Sequence, residues 1–357
     1  MPMDILFIAH NTHQKRYFEI LSNNLKFNSQ VVVSPIAICK PEPIELEKKF
    51  QEIEKKYRGV KLALYKKYLL LESKFILCGY KKLIDRYNPK LLGIWNGVKY
   101  PQSLSQKFPM KKIYFENGFL PNTTQVDCRG VNALNSVPRD PDFYRQFSYY
   151  KHPLPQTLIP RSPVRKLEGE EIKLSGRKYI FIPFQVNYDS QIIYFSPWIK
   201  SMEHLFQVIN KIATQFPNLD FIFKPHPSDR VSTYTHLFSQ TQKNLFFATN
   251  PTQELIENAQ AIITINSSVG VESLLFNKKV ITLGEAFYNI PGIVKHATNL
   301  EELRTLIGEI DKWKVDQNLI KNFLGYLYYQ YLIPDSWKKP SQKHFSKIEE
   351  RIEQCLQ

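Results

Sequence analysis

The chain of 357 residues lacks most of the features that assign a protein to a class at a glance. Its four cysteines, Cys39, Cys78, Cys128 and Cys355, are scattered without a Cys-x-x-Cys pair. That spacing excludes a zinc ribbon or finger and gives no support to a disulfide framework, so a reducing cytoplasm is the expected compartment. No window approaches ~20 uninterrupted apolar residues, and no basic leader precedes the first apolar segment, so neither a membrane span nor a secretory leader is expected. The expectation is a soluble protein, or one held to a membrane only at its surface. Zinc-finger spacing, a basic-zipper heptad array and an Arg-Gly-rich tail are also lacking, so nucleic acid is not an expected partner.

The residues that are present describe a well-packed α/β protein. Hydrophobic residues make up 43% and aromatics 13%, enough to fill the cores of two domains at this length. The formal charge of +15 and pI near 9.4 favour an anionic partner, and among the candidates a phosphorylated donor or a phospholipid surface survives the exclusions above.

Apolar residues 4–9 read as a first strand, His10-Asn11-Thr12-His13 as a polar loop, residues 14–25 as a helix and residues 31–33 as a second strand. Strand, turn, helix and strand in that order open a parallel α/β sheet, whose ligands gather at the carboxyl ends of the strands, so His10 and Asn11 are acceptor-side candidates. Residues 45–87 form a Lys-rich helical region broken at Arg58-Gly59. Its lysines are either a solvated face or a surface that rests on anionic lipid. Two further strands end in Trp95-Asn96-Gly97 and Glu116-Asn117-Gly118. Proline-rich residues 148–176 read as an interdomain linker, and a second α/β pattern follows from Tyr179. The predicted fold is GT-B, two Rossmann-like domains facing a central cleft. The domains are residues 1–165, residues 166–333, and a C-terminal helix at 334–357 that returns to the first.

The most informative stretch is residues 261–276. Ala261-Ile262-Ile263-Thr264-Ile265 is a buried strand pattern, and it runs into Asn266-Ser267-Ser268-Val269-Gly270, a capped helix start. First-turn amides and the helix dipole favour an anion there, and Ser267 and Ser268 add hydroxyl donors. Glu272 lies further in, placed to accept from sugar hydroxyls. Upstream, the strand pattern ending at Phe223 stops at Lys224-Pro225-His226-Pro227, where two prolines fix the loop that carries His226. A histidine held beside a lysine can donate to a phosphate or stabilise a leaving group. Asn-Ser-Ser also serves as a plain N-cap, and that reading stays open. Gln185, Asp189, Ser190 and Gln191 follow the first strand of the second domain and are able to read a base or a ribose, although Asp-Ser is also a cap. Glu116 and Asp127 are two loop carboxylates of the first domain. They suit a nucleophile and an acid/base in sugar transfer, or else a surface residue and a turn-forming aspartate.

Taken together, Glu116-Asn-Gly-Phe119, Asp127-x-x-Gly130-Val131-Asn132, Gln185-x-x-x-Asp189-Ser190-Gln191, Lys224-Pro-His226-Pro227 and Asn266-Ser-Ser-Val-Gly-Val-Glu272 resemble the capsule polysaccharide biosynthesis family of bacterial Kdo transferases. The likeness runs from about residue 114 to 288. It implies a GT-B enzyme that moves Kdo, or a related ulosonic acid, from CMP-Kdo to a glycan or lipid-linked acceptor, with retention to a β-linkage. By that resemblance His226, Ser267 and Ser268 grip the CMP phosphate and Glu272 holds the ribose. Gln185, Asp189, Ser190, Gln191, Lys224 and Asn266 complete the donor site, Glu116 and Asp127 are catalytic, and Asn132 joins the acceptor side. Many relatives carry an acidic residue where this chain has Asn117. No cofactor is implied, no Asp-x-Asp metal pair is read in the sequence, and a metal is not required, because basic residues and a helix dipole can neutralise the leaving group. Two other readings remain: a glycerophosphate-type or other nucleotide-sugar transferase, and a non-catalytic capsule-export or glycan-binding protein on the same shell.

Overall fold

The computed structural model describes residues 3–40, 43–44 and 46–357; Glu45, the expected start of the Lys-rich region, lies outside them. In chain order the elements are β1 (Ile5–Ala9), α1 (Thr12–Asn24), β2 (Ser29–Val33), α2 (Glu47–Glu54), α3 (Gly59–Tyr87), β3 (Leu91–Trp95), β4 (Lys111–Asn117) and β5 (Thr123–Asp127). There follow α4 (Pro141–Arg145), β6 (Tyr179–Pro183), α5 (Ser190–Phe195), α6 (Met202–Ala213), β7 (Asp220–Lys224), α7 (Thr235–Phe238), β8 (Leu245–Phe247) and α8 (Thr252–Asn258). The chain ends with β9 (Ala261–Thr264), α9 (Ser268–Leu275), β10 (Lys279–Thr282), β11 (Lys295–His296), α10 (Leu300–Gly308), α11 (Gln317–Tyr326), β12 (Ile333–Pro334) and α12 (Gln342–Leu356).

Two compact units result, one holding Met1–Gly118, Asn122–Ser136 and Tyr331–Gln357, the other Phe119–Pro121 and Val137–Gln330. The first contains a six-stranded sheet of order β12-β5-β4-β3-β1-β2. Its strands β4, β3, β1 and β2 are parallel, and β5 turns back antiparallel on β4. Every residue of β1 is buried, as a parallel strand covered on both faces requires, which is why it reads as an unbroken apolar run. The helix α12 lays Phe345, Ile348, Ile352 and Cys355 onto the same core as Phe7, Phe18 and Phe115. At its start the buried His344 accepts or donates at 2.8 Å to the Tyr17 hydroxyl, while its other ring nitrogen meets the Pro334 carbonyl at 2.6 Å. The expected return of the C-terminal helix to the first unit is thus fixed by a stripe at helical spacing and one polar clasp.

The second unit has a six-stranded, wholly parallel sheet of order β11-β10-β9-β6-β7-β8. The chain winds from β6 to β7 and β8, then crosses back to lay β9 on the other side of β6. The strand order reverses between β6 and β9, and such a switch point opens a crevice at the carboxyl ends of the strands.

Two expectations fail here. The units part at Ser136/Val137, not near residue 165, and the proline-rich residues 148–176 belong to the second unit. Prolines there mark an extended strap whose amides bond to the unit it crosses: Val164 N–H donates to the Pro227 carbonyl at 2.9 Å and Glu170 N–H to Phe247 at 3.0 Å. The cysteines are also paired, Cys39 with Cys78 and Cys128 with Cys355, each pair with Cα atoms 5.5 Å apart. Partners 39 and 227 positions apart leave no spacing signature in the sequence.

Candidate functional site

At the carboxyl ends of β6 and β7, where Pro183 is in register with Lys224, the second unit holds a cavity of about 600 Å³. That size suits a nucleotide-sized ligand. Its walls come from Pro183 and Phe184 at the end of β6, Lys224, Pro225, His226 and Pro227 at the end of β7, Thr249 and Pro251 to Glu254 at the head of α8, Val269 and Glu272 on α9, and Leu158 to Arg161 on the strap.

The loop after β7 is built to present one imidazole nitrogen. The buried Asp229 accepts from the amides of Val231 and Ser232 at 3.0 Å and from the Tyr234 hydroxyl at 3.3 Å, closing the turn beneath the histidine. Ser228 N–H donates to His226 Nδ1 at 3.1 Å, so Nδ1 is the acceptor and the proton of the neutral ring sits on Nε2. Burial, aided by the nearby Arg161 guanidinium, pulls the His226 pKa from 6.5 down to about 4, against Asp189 and Asp229, which raise it. The ring is therefore a neutral N–H donor at physiological pH. Lys224 is nearly buried, donates to the Asn250 carbonyl, and has its ammonium pKa lowered to about 8 by desolvation, with Glu254 opposing.

On the facing side α9 starts where the sequence places it. Ser267 is its N-cap, its side chain accepting from Val269 N–H at 3.2 Å, and the buried Tyr288 hydroxyl donates to the Ser267 carbonyl at 2.6 Å. A Cβ on Gly270 would lie 2.3 Å from that hydroxyl, so glycine is what lets Tyr288 brace the helix start. Ser268 Oγ accepts from Arg161 at 3.2 Å, and the same guanidinium lies 4.0 Å from Glu272. Burial raises the Glu272 pKa and Arg161 counters it. Arg161 thus stands among Ser268, Glu272 and His226, a cation that a linker reading of its segment leaves out. The motif Arg161-Ser-Pro163 offers no periodicity to reveal it.

The remaining residues expected on the donor side occupy supporting positions. Gln185 and Asn266 are buried against each other at the switch point: Gln185 Nε2 donates to Asn266 Oδ1 at 3.0 Å, and Asn266 Nδ2 donates to the Gln191 and Phe195 carbonyls at 3.0 Å. They lock the β6 loop to the β9 loop. Asp189 caps α5 through Gln191 N–H at 3.0 Å, with Ser190 Oγ beside it at 3.2 Å. Phe287 and Tyr288 are buried, so the segment after β10 is a packed loop.

In the first unit Glu116 is the penultimate residue of β4. Asn96 Nδ2 donates to its Oε2 at 2.8 Å, and the backbone and side chain of Asn117 donate to its Oε1 at 2.9 and 2.8 Å. Part of Glu116 remains exposed. Asn117 itself accepts from Trp337 Nε1 at 2.9 Å, and Asn132 exchanges hydrogen bonds with Gln125 at 2.9 and 3.1 Å. Asp127 differs sharply. It is fully buried and accepts from Arg129 N–H and Ser136 N–H at 2.7 Å, from Ser136 Oγ at 2.7 Å and from the Tyr331 hydroxyl at 2.9 Å. His10, at the end of β1, meets the Tyr80 hydroxyl at 2.8 Å, and desolvation lowers its pKa to about 4. Asn11 caps α1. The sequence does contain an Asp-x-Asp, Asp140-Pro141-Asp142, and it is spent on the start of α4, where Asp140 accepts from Asp142 N–H at 2.9 Å and Arg145 pairs with Asp142.

Comparison with known proteins bears on this arrangement. Residues 164–335 match the family described as capsule polysaccharide biosynthesis protein, a span that carries most of the cavity wall. The chain is similar to Protein FixF of Sinorhizobium fredii, 36% identical over 71% of this chain and 63% of that protein, so the match leaves more than a third of FixF uncovered. It is also similar to the capsule polysaccharide export protein KpsS of Escherichia coli, 27% identical over 60% of this chain and 69% of that one. Among solved structures, KpsC of Thermosulfurimonas dismutans, a beta Kdo 2,7 transferase, aligns with a TM-score of 0.50 at 15% identity, covering 93% of this chain and 92% of that one. The fold is GT-B, as the sequence pattern implies, with two Rossmann-like units.

Proposed function

We propose that this chain, whose residues 164–335 match the capsule polysaccharide biosynthesis family, transfers Kdo or a related ulosonic acid from CMP-Kdo to a surface polysaccharide or glycolipid acceptor. The observation that carries this reading is the convergence of His226, Arg161, Lys224 and the start of α9 about one cavity of nucleotide size. Each of these groups favours the negative charge that develops on a departing CMP phosphate: an Nε2–H donor, a guanidinium, an ammonium and a helix dipole. Glu272 would accept from the ribose hydroxyls. With that positive set in place, the proposal assigns the leaving group to protein cations and requires no metal.

Of the two carboxylates suggested by the resemblance, the partly exposed Glu116 receives the reacting role. Asp127, with both oxygens saturated by loop donors, receives that of a loop brace. In a retaining double displacement a Glu116 oxygen bonds the anomeric carbon as the carbon–phosphate-oxygen bond breaks, and CMP leaves with the electron pair. The acceptor hydroxyl then displaces Glu116, its proton passing to a base. The test is turnover of CMP-Kdo with intact-protein mass spectrometry. A sugar adduct on the wild type that disappears in Glu116→Gln supports the reading, and so does loss of turnover by roughly 100-fold or more in His226→Ala. Tighter binding of CDP or UDP than of CMP would move the donor to another nucleotide sugar, and no transfer with any donor would favour a binding shell.

A further inference from the structure

The outer face of α3 breaks the usual rule for a solvated helix. Val60, Leu64, Tyr68 and Leu71 recur at steps of four, four and three and are 76%, 62%, 52% and 57% exposed. Lys67 and Lys74 lie exposed on the same face, and Lys81 and Lys82 extend it. One turn further along, the positions on this face are Phe75 and Cys78, and residues 34–40 run over them: Ala37 N–H donates to the Phe75 carbonyl at 3.0 Å, and Cys39 is bonded to Cys78. A Cβ on Gly79 would lie 2.3 Å from the Pro35 carbonyl oxygen, so the loop lies directly on the helix backbone. The loop turns its own apolar side chains outward, with Ile36 68% and Ile38 78% exposed and Lys40 exposed beside them. The apolar stripe of the helix is thereby continued by a loop that two kinds of bond hold in place. Glu72 is the acidic group next to the stripe, and it is occupied by the Tyr68 and Tyr100 hydroxyls at 2.7 Å.

We propose that this face of α3, with the loop tethered over it, is a docking surface for an anionic lipid bilayer. Branched and leucyl side chains without cover, interleaved with lysines, match the two layers a bilayer offers: acyl chains to receive the former and negative headgroups to meet the latter. Among the described residues no helix is long and apolar enough to cross a membrane, so the contact is one of surface insertion. A solvated lysine face would carry polar residues at 60, 64, 68 and 71. A second protein would be matched by charge of the opposite sign interspersed on the stripe, and from Val60 to Lys82 the exposed charges on this face are lysines.

The experiment uses the full oxidised chain and flotation with vesicles of phosphatidylcholine alone or with about one third phosphatidylglycerol. Wild type is expected to float with the anionic vesicles, in part even at high salt. Leu64→Glu/Leu71→Glu, an exposed pair whose replacement leaves the core untouched, is expected to lose partitioning at least tenfold at every salt concentration. Lys67→Glu/Lys74→Glu should lose it mainly at low salt. A Leu64→Trp variant should shift its emission to the blue and be quenched by brominated acyl chains. Absence of flotation, unchanged flotation of the Leu64/Leu71 pair, or a stripe-dependent dimer in light scattering without vesicle binding would each overturn the proposal.

Discussion

His226 shows how one residue can be tuned by its neighbours. Its folded pKa near 4 lies below the usual 6.5, so the unfolded chain takes up a proton first as pH falls. The stability tied to neutral His226 is complete above about pH 6.5, lost between 6.5 and 4, and flat below. His10 is lowered to the same value and adds a loss of the same sign. Thermal unfolding followed across this window is expected to show a falling midpoint that His226→Asn flattens in part. Arg161→Gln should raise the His226 pKa, read from its imidazole resonances, because the guanidinium is one of the forces depressing it, and should weaken CMP binding about tenfold or more while leaving cytidine binding unchanged. An unshifted resonance would remove Arg161 from the site. Asp127 calls for the opposite kind of test. Asp127→Ala leaves several buried donors without an acceptor, and a loss of about 3 kcal/mol or more in denaturant unfolding is expected.

At the scale of elements, what could be read in advance follows from periodicity. The buried parallel strands β1, β6, β7 and β9 are apolar runs, and α9 begins at its Ser-Ser cap, so the sheet of the second unit and the place of His226 after a strand end are legible. The strap was not. An extended chain with four prolines has no period, and its role lies in long-range bonds such as Leu158 N–H to Gln253 Oε1 at 2.9 Å, 95 positions away. The short β5 also escaped, because Thr123-Thr124-Gln125-Val126-Asp127 is polar by composition and buried only by its neighbours. Gln185 and Asn266 were identified as special but pair with each other, since spacing shows which residues sit at a strand end and not which way they turn. The start of α9 depends on a single small residue. Gly270→Ala is expected to displace Tyr288, cost about 1–3 kcal/mol and weaken CMP binding, measured by melting and titration calorimetry.

For the whole molecule, the bond between Cys128 and Cys355 matters more than its position suggests. It joins the end of β5 to the last turn of α12, 227 positions apart, and the stretch Val137–Gln330 lies entirely between those two sulfurs along the chain. Intact oxidised protein should take up no iodoacetamide, and four equivalents after reduction and unfolding. The stretch Val137–Gln330 is a bead on a closed covalent ring. A protease that cuts once anywhere within it opens the ring without releasing a piece: the nicked protein should migrate as one species on a non-reducing gel and fall into two only when thiol is added.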